Sequence, residues 1–353
     1  YQTLVREVSD SLHLRRFCLL PLTQRVPDES TVRKLVRRLG PEVVAELTRV
    51  VIGKAQRETR FAARAVRIDS TVVEADIRYP SDGVLAWQGA RALAREGRKL
   101  AGRLRGPTVR VVDRSRRIGK LVRAISRTLA RRTSQGTGEV LALNAKAGRA
   151  MARSVHEARA LAAQARAAAR GRGARAKLRA ARRLEDLADR CQRVATQIQQ
   201  RQRGEKISDR LVSLADPDAR PIRKGKPQHP TQFGYSLLLA EDERGFIADH
   251  QLQQGNPPDA PRLVPAVERV AQVTGRVAAT VVGDRGFGTA ANDRTLAERG
   301  VKRIGLQRKG TVSAARAALE RTRAFRRLRN WRVGIEARIS HLKRSFGLRR
   351  TRL

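Results

Sequence analysis

Three carboxylates stand where an acid is costly unless something binds it. Asp69 interrupts a β-branched run (AVRIDSTVV), Asp284 directly follows another (ATVVGDRGF), and Glu336 lies in a helical segment near the end of the chain (WRVGIEARISHLKRSFG). An acid on or beside an apolar element needs an ion pair, hydrogen bonds or a metal to offset its desolvation. Each has an ordinary explanation by itself, an ion pair with Arg285 for Asp284 or a salt-bridged helix face for Glu336. Jointly they point to metal-assisted phosphoryl chemistry. Arg332, Glu336, Ser340 and Lys343 recur at steps of four, four and three beside an apolar stripe of Ile335, Ile339 and Leu342. That places a metal-binding acid between two cations suited to gripping adjacent phosphates. Arg285, Lys302 and Lys309 are further candidates for phosphate contact, with plain surface charge as the equal alternative. Glu74, Asp76, Asp82, Asp216 and Asp218 are rival metal ligands, although the last two sit in a proline-containing turn where Asp commonly accepts backbone hydrogen bonds. His250 and His341 read as structural, because oxygen donors suit Mg²⁺ better than imidazole.

The elements that must position these residues follow from periodicity. Strands are expected at 65–73, 233–240, 246–253, 277–282 and 301–306, all rich in β-branched or apolar residues. Asp259 and Pro261 open a helix carrying Leu263, Val264, Val267 and Val270, and a second runs from Thr289 to Arg299 and stops at Gly300. The order is strand, long helical insert, hairpin, helix, strand, helix, strand, helix. It describes an α/β chain with a mixed sheet covered by helices, compatible with a ribonuclease H-like core. On this order the three acids can converge on one sheet edge. Before the first strand, Asp28 can cap a helix over Glu29 to Leu39, and Gly40 with Pro41 ends one helix and starts the next. The expected organisation is a helical N-terminal domain over 1–60 for DNA binding or dimerisation, a catalytic domain over 61–82 and 207–353, and a basic helical insertion over 83–206.

Charge names the partner class. The 353 residues hold 76 Lys plus Arg against 33 Asp plus Glu, a net charge of +43. Such a surplus repels itself in a folded chain and is tolerable mainly where a polyanion neutralises it. Over half of it lies between Gly83 and Gly204, where 31 basic and 7 acidic residues leave +24. This stretch is rich in Ala and Leu and reads as several long helices, broken near Arg105 to Pro107, Ser134 to Gly138 and Gly171 to Gly173. The alternative is a solvated hairpin or a partly disordered Arg/Ala tract. A membrane-surface helix would need an apolar face with aromatic anchors, and this stretch has one Trp and no Phe. With 2 Trp, 3 Tyr and 7 Phe in the whole chain, contact to duplex phosphates is favoured over a stacking platform for single strands. No apolar run approaches the ~18 residues of a membrane span. Cys18 and Cys191 read as structural thiols of a reducing cytosol. The first residue is Tyr1, the sole Met is Met151 and the chain stops at Leu353 soon after the last motif, so truncation at both ends is expected.

The segments IDSTVVEADIRYP (68–80), VVGDRGFG (281–288) and RVGIEARISHLKRSFG (332–347) resemble bacterial insertion-sequence transposases of the DDE type, the ISNCY-like group in particular. Matching stretches also include 11–16, 27–40, LVSLADPDARP (211–221) and GNPPDA (255–260), so the resemblance covers most of the chain outside the helical insert. It implies that Asp69, Asp284 and Glu336 are the catalytic and metal-binding triad. It further implies that Arg332, Glu336 and Lys343 match the family's Arg, Glu and Lys signature. Arg329 stands where that signature has Tyr, with Trp331 nearby to fill its role. The implied activity is cleavage at the ends of an insertion sequence and joining of the 3′ hydroxyl to target DNA. Two Mg²⁺ ions, or Mn²⁺, would serve as cofactors, a homodimer on DNA as the working form, and the bacterial cytoplasm and nucleoid as the location. An inactive remnant that only binds DNA and a structure-selective nuclease are the alternatives.

Overall fold

A computed structural model describes residues 1–59, 61–131, 133–171, 173–223 and 230–351. Six strands hydrogen-bond into one mixed sheet: β1 (Ala65–Glu74), β2 (Arg220–Ile222), β3 (Gln232–Asp242), β4 (Ile247–Gln254), β5 (Thr280–Gly283) and β6 (Arg303–Leu306). Their order is β2-β3-β1-β5-β6, with β4 also paired to β3. The β1/β5 and β5/β6 pairs are parallel and β2/β3 is antiparallel. Every residue of β5 is buried, which is why its sequence is a continuous apolar run rather than an alternation.

The helices are α1 (Gln2–Asp10), α2 (Leu12–Phe17), α3 (Glu29–Thr59), α4 (Asp82–Ala101), α5 (Ser115–Arg131), α6 (Gly136–Ala167), α7 (Ala174–Gln202), α8 (Ala260–Thr274), α9 (Ala290–Glu298), α10 (Ala314–Arg321), α11 (Arg323–Arg332) and α12 (Gly334–Ser345). No helix among the described residues is long and apolar enough to cross a membrane.

Contacts divide the chain into two compact units. The first comprises Tyr1–Ile68, Ala240–Asp249 and Pro261–Arg329. Its sheet residues Val66, Ile68, Val281, Val282 and Leu306 are buried, as are Leu263, Val267 and Val270 of α8 and Leu296 of α9. Arg67 donates to Glu241 at 2.7 Å, so the fully buried Glu241 carboxylate is paired. Asp28 caps α3 by accepting from the Thr31 amide at 2.9 Å. That helix is kinked at Gly40, whose φ of 77° lies in the left-handed region that glycine tolerates. The apolar stripe of this helix is largely exposed, with Leu35, Val43, Val44, Leu47, Val50 and Val51 uncovered.

The second unit comprises Asp69–Leu239, His250–Ala260 and Asn330–Leu353. The helices α4, α5, α6 and α7 pack on one another around Leu85, Leu93, Met151, Leu161, Leu184 and Cys191. Small residues let them approach. A Cβ on Gly89 would stand 2.7 Å from Met151 Sδ and 2.8 Å from Cys191 Sγ. Burial pushes the Cys191 thiol up to about 12, leaving it a packing group with little thiolate. Arg114 grips Glu157 of α6 through both guanidinium nitrogens, and Glu157 also accepts from the Val112 amide at 2.8 Å. This ties the α4/α5 connection to the bundle.

The helix breaks fall close to the expected positions. Gly171 and Gly173 have positive φ, and residue 172 between them lies outside the described residues. The +24 stretch is therefore folded around its own core, which excludes the disordered-tract alternative for its described residues. Three elements were not legible. β2 has only three residues, including Pro221, which cannot donate to a ladder. The eight-residue α10 (AARAALER) buries no residue, and α11 (RAFRRLRNWR) is half arginine with only Phe325 buried, so neither carries a clear apolar stripe.

Candidate active site

Asp69 and Glu336 are brought together by Arg332. The Arg332 guanidinium donates to Glu336 Oε1 at 2.8 Å and has Nη1 at 3.9 Å from Asp69 Oδ2. Asp69 lies in β1 with its side chain 14 % exposed, and its Oδ1 accepts from the Ser70 amide at 2.7 Å. Glu336 occupies the first turn of α12, where the helix N-terminus favours a carboxylate, and 55 % of its side chain is exposed.

The spacing of this motif predicted one helix, whereas the structure has two. Arg332 is the last residue of α11, and Gly334 opens α12 after the break at Val333. The backbone at Val333 stays near helical dihedrals, so the four-residue step from Arg332 to Glu336 still closes. Ile335 and Ile339 are buried as expected. Leu342 and Lys343 are half-buried, with Lys343 in the last turn of α12.

Asp284 follows β5. Its Oδ1 accepts from the Gly286 amide at 2.6 Å, which shapes the turn. Phe287 then plugs into the core, fully buried. Gly288 passes so close to the next segment that a Cβ would lie 1.9 Å from Gln307 O, so no other residue fits there. The parallel register of β1 and β5 ends at Ile68 and Gly283, which are Cα partners. The next residue on each strand's chain is an aspartate, Asp69 and Asp284. This register is the feature that sequence reading could not supply, since two separate apolar runs do not state their alignment.

Of the other cations, Arg285, Lys302 and Lys309 are exposed. Arg285 contributes to a network beyond β6. Burial acts to raise the Glu320 carboxyl, but hydrogen bonds from Arg316 and the Arg308 amide, with the charges of Arg316 and Arg285, hold it below the usual range. Arg316 also donates to Asp293 at 2.8 Å, and Arg308 does so at 2.6 Å.

The rival acids are engaged elsewhere. Asp82 is buried between Arg201 at 3.0 Å and Arg210 at 3.1 Å. Asp216 accepts from the Tyr235 hydroxyl, which burial and this bond together push up. Glu74 accepts from Gln232 at 2.8 Å, Asp76 from Arg350 at 3.3 Å, and Asp218 is exposed. His250 and His341 are exposed, the latter in edge contact with Phe346. Among the described residues no group of three or more His, Cys, Asp or Glu side chains is gathered closely enough to hold a metal ion.

The strand order, with two parallel strands following a hairpin, defines a mixed α/β sheet protein compatible with the ribonuclease H-like fold. Residues 197–353 match the family model of the transposase DDE domain. The match takes in Asp284 and Glu336 and begins after Asp69. Comparison with curated proteins and with solved structures gives no match.

Proposed function

We propose that this chain is a DNA transposase of the DDE type, with Asp69, Asp284 and Glu336 as its catalytic carboxylates. The observation that carries the reading is the β1/β5 register: the partners Ile68 and Gly283 are each followed by an aspartate, Asp69 within β1 and Asp284 just after β5. The transposase-domain match over 197–353 supports it independently. The donor set fits hard divalent cations such as Mg²⁺ or Mn²⁺, because all three candidates are carboxylates. The shared contact of Asp69 and Glu336 with one guanidinium also marks a place where positive charge is held between acids. Two such ions would supply Lewis-acid activation of the attacking oxygen and stabilisation of the leaving one.

The protein's own contribution is orientation and phosphate binding. Glu336 and Lys343 lie seven residues apart, two turns along α12, so an acid and a cation share one helix face. On DNA, Arg332 and Lys343 grip phosphates beside the scissile bond. Arg285, Lys302 and Lys309 extend that contact along the strand. Cleavage then leaves a 3′ hydroxyl that attacks target DNA at the same site, without a covalent protein intermediate. The basic helices hold duplex DNA without reading its sequence, and the working form is a homodimer on DNA in the bacterial nucleoid. The ISNCY-like group is the proposed subgroup, and the three-part domain division given above is proposed with it.

The test is a cleavage and strand-transfer assay on DNA carrying the element ends. Mg²⁺-dependent nicking is expected, with Asp69→Ala, Asp284→Ala and Glu336→Gln each lowering it by at least about 10³-fold while DNA affinity is kept. Residual nicking in these variants removes the triad. Cleavage of branched substrates irrespective of end sequence would indicate a structure-selective nuclease, and binding without any cleavage an inactive remnant.

A further inference from the structure

A cavity of about 660 Å³ opens on the second unit between the end of β1, α4 and the 212–215 segment. Tyr79, Trp87 and Leu214 line it, and Arg78, Arg91 and Arg95 supply its cations, with Asp76 as the acid. Trp87, Arg91 and Arg95 follow one another at steps of four, so a single face of α4 presents a ring and then two guanidinium groups. Arg91 lies over the Trp87 ring at 5.8 Å. Tyr79 touches Phe233 edge-on at 5.6 Å and remains 78 % exposed. A second groove of about 370 Å³ shares Trp87 and Arg91 and is lined further by Arg116, Lys120 and Arg123. Those three are at steps of four and three on α5, and none forms an ion pair among the described residues.

An aromatic ring open to solvent, with Arg91 and the cations Arg116, Lys120 and Arg123 of α5 nearby, suits a ligand that is flat and apolar at one end and anionic along its length. An unpaired nucleotide strand has that chemistry: any base offers a π-face, and its phosphates follow at regular spacing. A closed duplex offers phosphates but keeps its bases stacked inside, so it leaves Tyr79 unused. The chain is poor in aromatic residues, with 2 Trp and 3 Tyr, yet one of each lines this cavity. Average composition hid this, because folding gathers the rings in one place.

We propose that the face formed by Tyr79, Trp87 and α5 binds an unpaired DNA strand, with a base against Tyr79 and the neighbouring phosphates on Arg91, Arg116, Lys120 and Arg123. The proposal rests on DNA being the partner but not on cleavage. It gives the basic helices a preference for DNA with a frayed or overhanging end over blunt duplex.

The experiment measures fluorescence anisotropy of the full chain, without metal, on a labelled blunt duplex and on the same duplex with a short thymidine overhang. The wild type is expected to bind the overhang DNA about tenfold more tightly, the equivalent of one stacked base. Tyr79→Ala should lose that advantage and keep blunt-duplex affinity, while Tyr79→Phe retains it. Tyr79 is exposed, so the variants fold. Reversing Arg116 and Lys120 to Glu should weaken both DNAs and steepen neither salt slope. Equal binding of both DNAs by the wild type, or an undiminished preference in Tyr79→Ala, overturns the proposal while leaving the transposase reading intact. Failure to bind any DNA overturns both.

Discussion

Arg332 and Glu336 are joined by a 2.8 Å hydrogen bond across the break between two helices, and the same guanidinium stands 3.9 Å from Asp69. A cation thus already sits with two of the proposed metal-binding acids. Metal and guanidinium compete for the same oxygens, since each is favoured by the charge the other would neutralise.

Arg332→Ala should therefore bind Mn²⁺ about three- to tenfold more tightly than the wild type, measured by calorimetric titration with the metal alone. Arg332→Lys should fall between the two, because a point charge cannot satisfy both acids as a planar fork does. Unchanged or weaker Mn²⁺ binding in Arg332→Ala would mean that Arg332 positions the carboxylates for metal rather than competing with it.

Glu157 links stability to pH. The hydrogen bonds from Arg114 outweigh burial and hold the Glu157 carboxyl below its usual range. A lowered folded-state value means that the stabilisation is present above the unfolded carboxylate pKa and is lost as pH falls through the folded one. Glu157→Gln is expected to cost about 2 kcal/mol near neutral pH and progressively less in acid. Denaturant melts across that range check it, and a pH-independent difference would contradict the assignment.

Gly288→Ala should disturb the turn that carries Asp284. Its Cβ would meet Gln307 O at 1.9 Å, a backbone atom that cannot move aside cheaply. A loss of about 1–3 kcal/mol is expected from the forced shift, together with loss of nicking in protein that still binds DNA. Wild-type stability and activity in this variant would show that the close approach is dispensable.

The charge should show in salt dependence. If the basic helices neutralise about six or more phosphates, affinity for blunt duplex should fall roughly 10³-fold or more between about 50 and 200 mM salt. A shallow dependence would remove phosphate contact as the main source of affinity.

What the sequence determined by itself was local. The β-branched run around Asp69, the glycines around Asp284 and the four-residue step from Arg332 to Glu336 are written in neighbouring residues, and hydrophobic periodicity located five of the six strands found among the described residues. The cap at Asp28 and the kink at Gly40 were legible for the same reason, since each depends on one or two side chains. The tertiary structure decided what depends on alignment between distant segments. No local signal states that Ile68 pairs with Gly283, that Arg332 reaches back to Asp69, or that Tyr79 and Trp87 line one cavity. The helical break at Val333 and the helices α10 and α11 were invisible because no apolar stripe marks them, and α10 is held instead by the ion pairs of Arg316 with Asp293 and Glu320. Composition set the +43 charge from which a polyanionic partner is proposed, and packing decided which of those charges line the grooves.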